Sequence, residues 1–248
     1  MAFKTALQLY SLRDDCAVDL LGTIEKVAEL GYEGVEFAGY FGHSAAAIRA
    51  TLDKTGLKAA GTHTGHAALQ GDDFQATVDF HKEIGAEFAI IPWLPHELRE
   101  TAAKTVETAK MLSEISAQVR AAGLYTGFHA HDADMHPLDN GQSAWDILAE
   151  NTPNDFLLQY DTGNGREGGA DPVQPLLDHP GRGRSVHLKA HPFGQIIGQD
   201  AIDWKAILAA LPVAGAEWVV IEHETYEGVT PLESVKQCLD GWNAVLKG

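Results

Sequence analysis

Short apolar runs alternate with longer stretches of helical spacing along the whole chain. Residues 5–10 (TALQLY) read as a strand. Residues 20–30 (LLGTIEKVAEL) carry apolar side chains at helical spacing and stop at Gly31, a helix-end signal. A second strand is predicted over 34–37. Ser44 then stands as an N-cap for a helix over 45–55, ended by Gly56. The pattern continues with a strand over 57–62, a helix over 73–84 ended by Gly85, and a strand over 88–92. A long helix over 101–122 closes at Gly123 and leads into a strand over 124–130. Then come a helix over 143–149, a strand over 156–161 and a helix over 172–177 with Pro172 at its start, where a missing N–H costs little. A strand over 185–189, an Asp203-capped helix to 211, a strand over 218–222 and a helix over 231–246 complete the series.

Eight strands alternating with eight helical patterns imply parallel βαβ units. Eight such units in 248 residues favour a closed (β/α)₈ TIM barrel over an open doubly wound sheet. The phrases ELGYEGVEF, KTGLKAAGTH, EIGAEFAII, AAGLYTGFH and VAGAEWVVIE repeat one module of helix end, glycine and strand. No linker or low-complexity tract divides the chain. A single α/β barrel domain over 1–248 is therefore expected.

Composition narrows the function. With 18 basic residues against 35 acidic, the formal charge is −17, which argues against nucleic-acid partners and anionic membrane surfaces. No apolar run approaches the roughly 20 residues needed to span a bilayer. The N-terminus has no apolar segment of the signal-peptide kind, and a cytoplasmic location is the expectation. Cys16 and Cys238, the only cysteines, sit in no metal or redox pattern and read as ordinary helix or loop residues.

The chemistry gathers at the C-terminal ends of the strands, where such barrels place their active sites. Gln8 and Tyr10 end the first strand and Glu36 the second; His63 and His66 follow the third, and Trp93 and His96 the fourth. His129 and His131 lie on the fifth, Asp161 on the sixth with Asn164 just after, His187, Lys189 and His191 on the seventh, and Glu222 and Glu224 on the eighth. The two-residue period of a strand points His129 and His131 the same way, and likewise His187 with Lys189 and Glu222 with Glu224. His129, Asp161, His187 and Glu222 thus come from four consecutive strands and are placed to converge on one divalent cation. Two imidazoles and two carboxylates suit Mn²⁺, Co²⁺, Fe²⁺ or Zn²⁺, and Mg²⁺ less well. His43, His81, His136 and His179 read as solvated surface residues. Of the five tryptophans only Trp93 is expected at a pocket.

At these residues the chain resembles the xylose isomerase-like barrel superfamily and, within it, the sugar phosphate isomerase/epimerase group. LQLYSLRDD resembles that group's first strand and loop, and IEKVAELGYEGVEFAGYFG its first helix and second strand. GFHAHDADM resembles a fifth-strand motif that is commonly Tyr-His-Asn-His. GGADPVQPLLDHPGRGRSVHLKA is similar to the segment leading to a His-Leu-Lys-Asp phrase, and IDWKAILAALPVAGAEWVVIEHE to the last helix–strand unit. The resemblance implies a divalent metal, most often Mn²⁺, held by Glu, Asp, His and Glu from strands five to eight. The matching positions are His129, Asp161, His187 and Glu222. Two departures stand out: His129 replaces the first Glu, and Ala190 replaces a common Asp.

The activity so implied is isomerisation or epimerisation of a small keto-sugar or polyol derivative through a metal-stabilised enediolate. Glu222 is the expected base, with a pKa tuned by burial beside other acids and a metal. Lys189 and His131 are expected to stabilise an oxyanion or move protons, and Gln8, Glu36, His63, Trp93 and Glu224 to meet the substrate. A metal-bound imidazole does not shuttle protons readily, so His129 weakens a two-carboxylate epimerisation. A one-base dehydratase or lyase on a keto-inositol or 3-keto-glycoside is the alternative, and a non-catalytic sugar-binding barrel the second. His129 either ligates the metal or stands behind a three-ligand site. Family barrels often pair, so a homodimer is expected.

Overall fold

The computed structural model describes residues 3–226 and 228–248. Eight parallel strands form the barrel wall: β1 (Lys4–Gln8), β2 (Gly34–Phe37), β3 (Lys58–His63), β4 (Phe88–Ile91), β5 (Tyr125–His129), β6 (Leu157–Gln159), β7 (Ser185–Leu188) and β8 (Trp218–Ile221). Hydrogen-bonded ladders run in the order β6-β5-β4-β3-β2-β1-β8-β7. The remaining seam, between β6 and β7, closes through a parallel bridge from Asp161 to His187, with the His187 N–H donating to the Tyr160 carbonyl at 2.8 Å. The barrel therefore shuts at two of the residues singled out as metal ligands.

The helices are α1 (Arg13–Leu30), α2 (Ala45–Thr55), α3 (Phe74–Ile84), α4 (Ala102–Ala121), α5 (Ala144–Asn151), α6 (Thr162–Glu167), α7 (Gln174–Asp178), α8 (Trp204–Ala214) and α9 (Pro231–Lys247). Local chemistry sets their ends. The Ser44, Thr101, Ser143, Asp203 and Thr230 side chains each accept a backbone N–H of the first turn. Gly31, Gly56, Gly85 and Gly215 end α1, α2, α3 and α8 in the left-handed region. The two largest differences from the sequence expectation are in α1 and α6. Helix α1 begins at Arg13 and is kinked at Asp19, whose backbone leaves helical geometry and hides the early start from a periodicity reading. Helix α6 occupies Thr162–Glu167, a stretch to which the sequence pattern assigned no element; it is capped by Asp161, whose side chain accepts the Asn164 N–H.

Two apolar layers result from strand alternation. Outward-facing residues such as Leu7, Val35, Phe128, Leu158 and Leu188 pack under the helices in the larger core. A second cluster, Ala6, Ala60, Phe88, Ile90, Leu157, Trp218 and Val220, fills the lower barrel interior. Both cysteines are buried free thiols, and burial pushes them up, Cys16 to about 12 and Cys238 to about 11. Among the described residues no helix is long and apolar enough to cross a membrane.

Candidate metal centre and substrate cavity

Stepping two residues up each strand from the apolar interior cluster reaches polar side chains: Gln8 above Ala6, Gln159 above Leu157, Glu222 above Val220. Gln8, Glu36, Gln159 and His187 are each fully buried, and His129 is 2% exposed. These residues form one hydrogen-bonded group. Glu36 is its hub: Oε2 accepts from Gln8 Nε2 at 2.7 Å and His187 Nε2 at 2.6 Å, and Oε1 accepts from Gln159 Nε2 at 2.8 Å. A register irregularity between Val35 and Glu36 sets Glu36 opposite Gly61. A Cβ at Gly61 would stand 2.8 Å from Glu36 Oε1, so glycine there makes room for the carboxylate.

Gln159 fixes the state of His129. Its amide nitrogen donates to Glu36 and, at 2.8 Å, to Ser185 Oγ, so its Oε1 is the acceptor. That oxygen accepts from His129 Nδ1 and from His63 Nε2, each at 3.0 Å. Burial, with repulsion from His187 and His63, holds His129 well below the ordinary histidine range. A neutral ring with its proton on Nδ1 presents the Nε2 lone pair.

His129, Asp161, His187 and Glu222 each offer a ligand atom within 4.8 Å of the other three, and all four are buried. Asp161 Oδ1 accepts the Asn164 N–H at 2.7 Å, while Oδ2 is buried without a hydrogen-bond partner. His187 Nδ1 lies 2.7 Å from Glu222 Oε2 and 3.9 Å from Asp161 Oδ2. Burial opposes the imidazolium, but Glu36 and Glu222 outweigh it and raise His187 to about 10. Its Nδ1 proton sits where a cation would bring the same groups together. An orphaned carboxylate oxygen, a free imidazole lone pair and a displaceable proton make a donor set that fits a divalent metal, with Glu36 orienting His187 from behind.

Beside these four, Lys189 Nζ pairs with Glu222 Oε1 at 3.1 Å and with Glu224 Oε1. Burial pushes the Glu222 carboxyl up, but Lys189 and His187 outweigh it and hold it well below the usual range. Its neighbours shift the other way: burial raises Glu224 to about 7 and Asp161 to about 6, in both cases with Glu222 adding.

Above the group opens a cavity of about 510 Å³ lined by Tyr10, Ala38, Gly39, His63, Pro92, Trp93, His129, His131, Glu222 and Glu224. His63, Trp93 and Glu224 thus stand on the wall, as expected of substrate contacts. Gln8 and Glu36 are fully buried and absent from that lining; they hydrogen-bond to each other and, through Glu36, to His187 and Gln159. Lys189 faces a second chamber next to the cavity. His131 lines both spaces, and its backbone N–H donates to Asp134 Oδ2 at 2.8 Å, with Arg99 paired to Asp134 Oδ1 at 2.7 Å. His81, expected at the surface, is 1% exposed; its ring bonds Thr62 at 2.6 Å and the Thr77 carbonyl at 2.7 Å. His43 and His179 are half-buried, and His136 is exposed.

Gln159, Arg99 and Asp134 are functional candidates that sequence reading passed over. Glutamine is no metal-ligand type, and nothing local marks an Arg–Asp pair drawn from two different loops. Two arginines between β6 and β7 are spent on structural contacts: Arg182 is buried against the Ala149 and Phe156 carbonyls, and Arg184 pairs with Glu87 and Glu217.

The sequence profile of the xylose isomerase-like TIM barrel family matches residues 24–244. An inosose dehydratase from Geobacillus kaustophilus (strain HTA426) is 24% identical over 207 residues, which make up 73% of this chain and 66% of that protein, just under two thirds of its length. Among solved structures, a sugar phosphate isomerase/epimerase from Parabacteroides distasonis ATCC 8503 is 22% identical with a TM-score of 0.84, covering 96% of each chain. An L-ribulose 3-epimerase is 14% identical with a TM-score of 0.72, covering 99% of this chain and 96% of its own. At these identities the structures show a shared fold.

Proposed function

Because the chain belongs to the xylose isomerase-like TIM barrel family, we propose that it is a divalent-metal-dependent isomerase or epimerase of a small keto-sugar or polyol derivative. One observation carries the reading: His129, Asp161, His187 and Glu222 meet, buried, and two of them, His129 and Glu222, line a 510 Å³ cavity. That volume is within the range of small-molecule sites. The four side chains would hold the metal. A bound divalent cation supplies Lewis acidity toward adjacent carbonyl and hydroxyl oxygens and so acidifies the C–H beside them. Mn²⁺ is the expected occupant, with Co²⁺, Fe²⁺, Zn²⁺ and Mg²⁺ as competitors.

Glu222 is ionised at neutral pH and accepts the acidified proton. Glu224, beside it and near neutrality in its titration, holds that proton with Lys189. Lys189 and His131 stabilise charge developing on the substrate oxygen. Trp93, 57% exposed, and Tyr10, 44% exposed, offer aromatic faces to a sugar ring.

A second reading rests on the arrangement of the acids. Both carboxylates on the cavity wall, Glu222 and Glu224, come from the β8 end; the rest of the wall offers His63, His129 and His131. One-sided proton chemistry also serves a dehydratase or lyase on a keto-inositol or 3-keto-glycoside. The test is to incubate Mn²⁺-loaded protein with keto-sugars and keto-inositols in deuterated water. Exchange of the proton next to the ketone supports the enediolate chemistry, and its absence for every compound defeats it. A product of unchanged composition marks an isomerase or epimerase; loss of water or an alcohol marks a lyase.

A further inference from the structure

Next to the main cavity lies a chamber of about 220 Å³, with His131 and Glu224 lining both spaces. Its volume corresponds to about seven liquid waters and falls below the roughly 300 Å³ at which pockets hold a whole small ligand. It suits part of a ligand whose remainder sits in the main cavity. The chamber is built rather than incidental. His223 is 3% exposed, and its Nε2 is buried with no hydrogen-bond partner while the residue lines the chamber. His131 Nδ1 is buried and unpartnered in the same way. Buried polar atoms without protein partners call for a ligand or ordered water. The His223 backbone is anchored, its N–H donating to Ser11 Oγ at 2.9 Å.

Charge decides the kind of ligand. The chamber's cation, Lys189, is already shared between Glu222 and Glu224, and Glu224 itself lines the space. A phosphate or carboxylate would meet that carboxylate with no unpaired lysine or arginine among the described lining residues to offset it. Neutral hydroxyl groups, which donate and accept, match the Asn164 amide and the Glu224 carboxylate. Phe193, 42% exposed, adds an apolar face under Lys189, whose Nζ stands 5.1 Å from the ring centroid. We propose that the side chamber is a subsite for a neutral, hydroxyl-bearing second unit, so that the substrate is a two-part molecule: an oxidised sugar carrying an alcohol or second sugar, rather than a free monosaccharide or a sugar phosphate.

This inference rests on the metal-dependent keto-sugar reading, and the test separates the two. Mn²⁺-loaded protein is offered 3-keto-glucose, its 6-phosphate, methyl 3-keto-glucoside and a glucosyl 3-keto-glucoside, and exchange of the proton next to the ketone is followed in deuterated water. The glucosyl compound is expected to exceed 3-keto-glucose and its phosphate at least tenfold in kcat/KM. Phe193→Ala, at an exposed position that leaves the fold intact, is expected to cut that preference about tenfold while changing exchange of 3-keto-glucose less than twofold. His223→Leu is expected to do the same. Equal kcat/KM for free and substituted sugars, or an equal loss for both in Phe193→Ala, overturns the subsite and leaves the keto-sugar activity standing. No exchange with any of the four overturns both.

Discussion

The two ends of the barrel interior are built from the same strands and opposite chemistry. At the lower end Phe88, Ile90, Leu157, Trp218 and Val220 pack together. Charges there stay outside: Arg184 stacks on Phe88 and Tyr125 at 4.6 and 4.2 Å and is tied to Glu87 and Glu217, and Lys4 lies over Trp218. At the upper end the charges are inside. Glu36, Asp161, His187, Lys189 and Glu222 are buried against one another, and the Asp161 carboxyl is pushed up to about 6. Only two residues separate the regimes, as from Val220 to Glu222. Apolar burial stabilises the wall, and the wall holds in place an electrostatic cluster that would not assemble alone.

Substitutions at the two ends should therefore fail differently. Glu222→Gln is expected to slow exchange of the substrate proton by about 10²–10⁴-fold, with circular dichroism and the melting curve close to wild type. Phe88→Ala, at the other end, is expected to lose about 3–5 kcal/mol of stability in denaturant titration while metal content per folded chain is unchanged. A large loss of metal in Phe88→Ala would show that the ends are not separable.

Between them stands Gln159, which links the apolar interior to the ligands. Gln159→Leu removes the acceptor for His129 Nδ1 and is expected to weaken Mn²⁺ binding about 10–100-fold, read by calorimetry on folded protein. Read over a single pH unit, the smallest effect is on pH. In the metal-free protein His187 is raised to about 10, so a cation must displace its proton. Because that proton is held at all lower pH, Mn²⁺ affinity should rise about tenfold per pH unit from neutrality toward pH 10, and binding should release protons to the buffer. A flat profile would mean that His187 is not a ligand.

The sequence revealed these ends unequally. Strand–helix alternation and terminal glycines are local signals, so α2 is legible to the residue: Ser44 caps it and Gly56 ends it. The four candidate ligand positions could be picked out because they recur about one βα unit apart, and the structure brings them within 4.8 Å of one another. Depth is not local. Gln8 and Glu36 end their strands as surely as His63 does, yet the register irregularity in β2 and the Gly61 opening leave Glu36 fully buried and out of the cavity lining. Helix α6 was hidden by its glycines, which are there for close approach: a Cβ at Gly163 would stand 2.9 Å from Lys189 Cγ, and one at Gly165 2.0 Å from the Tyr160 hydroxyl. His81 looked solvated because its partners Thr62 and Thr64 lie on another element.

The most direct test of the account is calorimetric titration of metal-stripped protein with Mn²⁺, comparing wild type with Asp161→Ala and His129→Ala. The account predicts one site per chain in wild type and its loss in both variants, each still folded by circular dichroism. No binding to wild type, or undiminished binding in both variants, would contradict it.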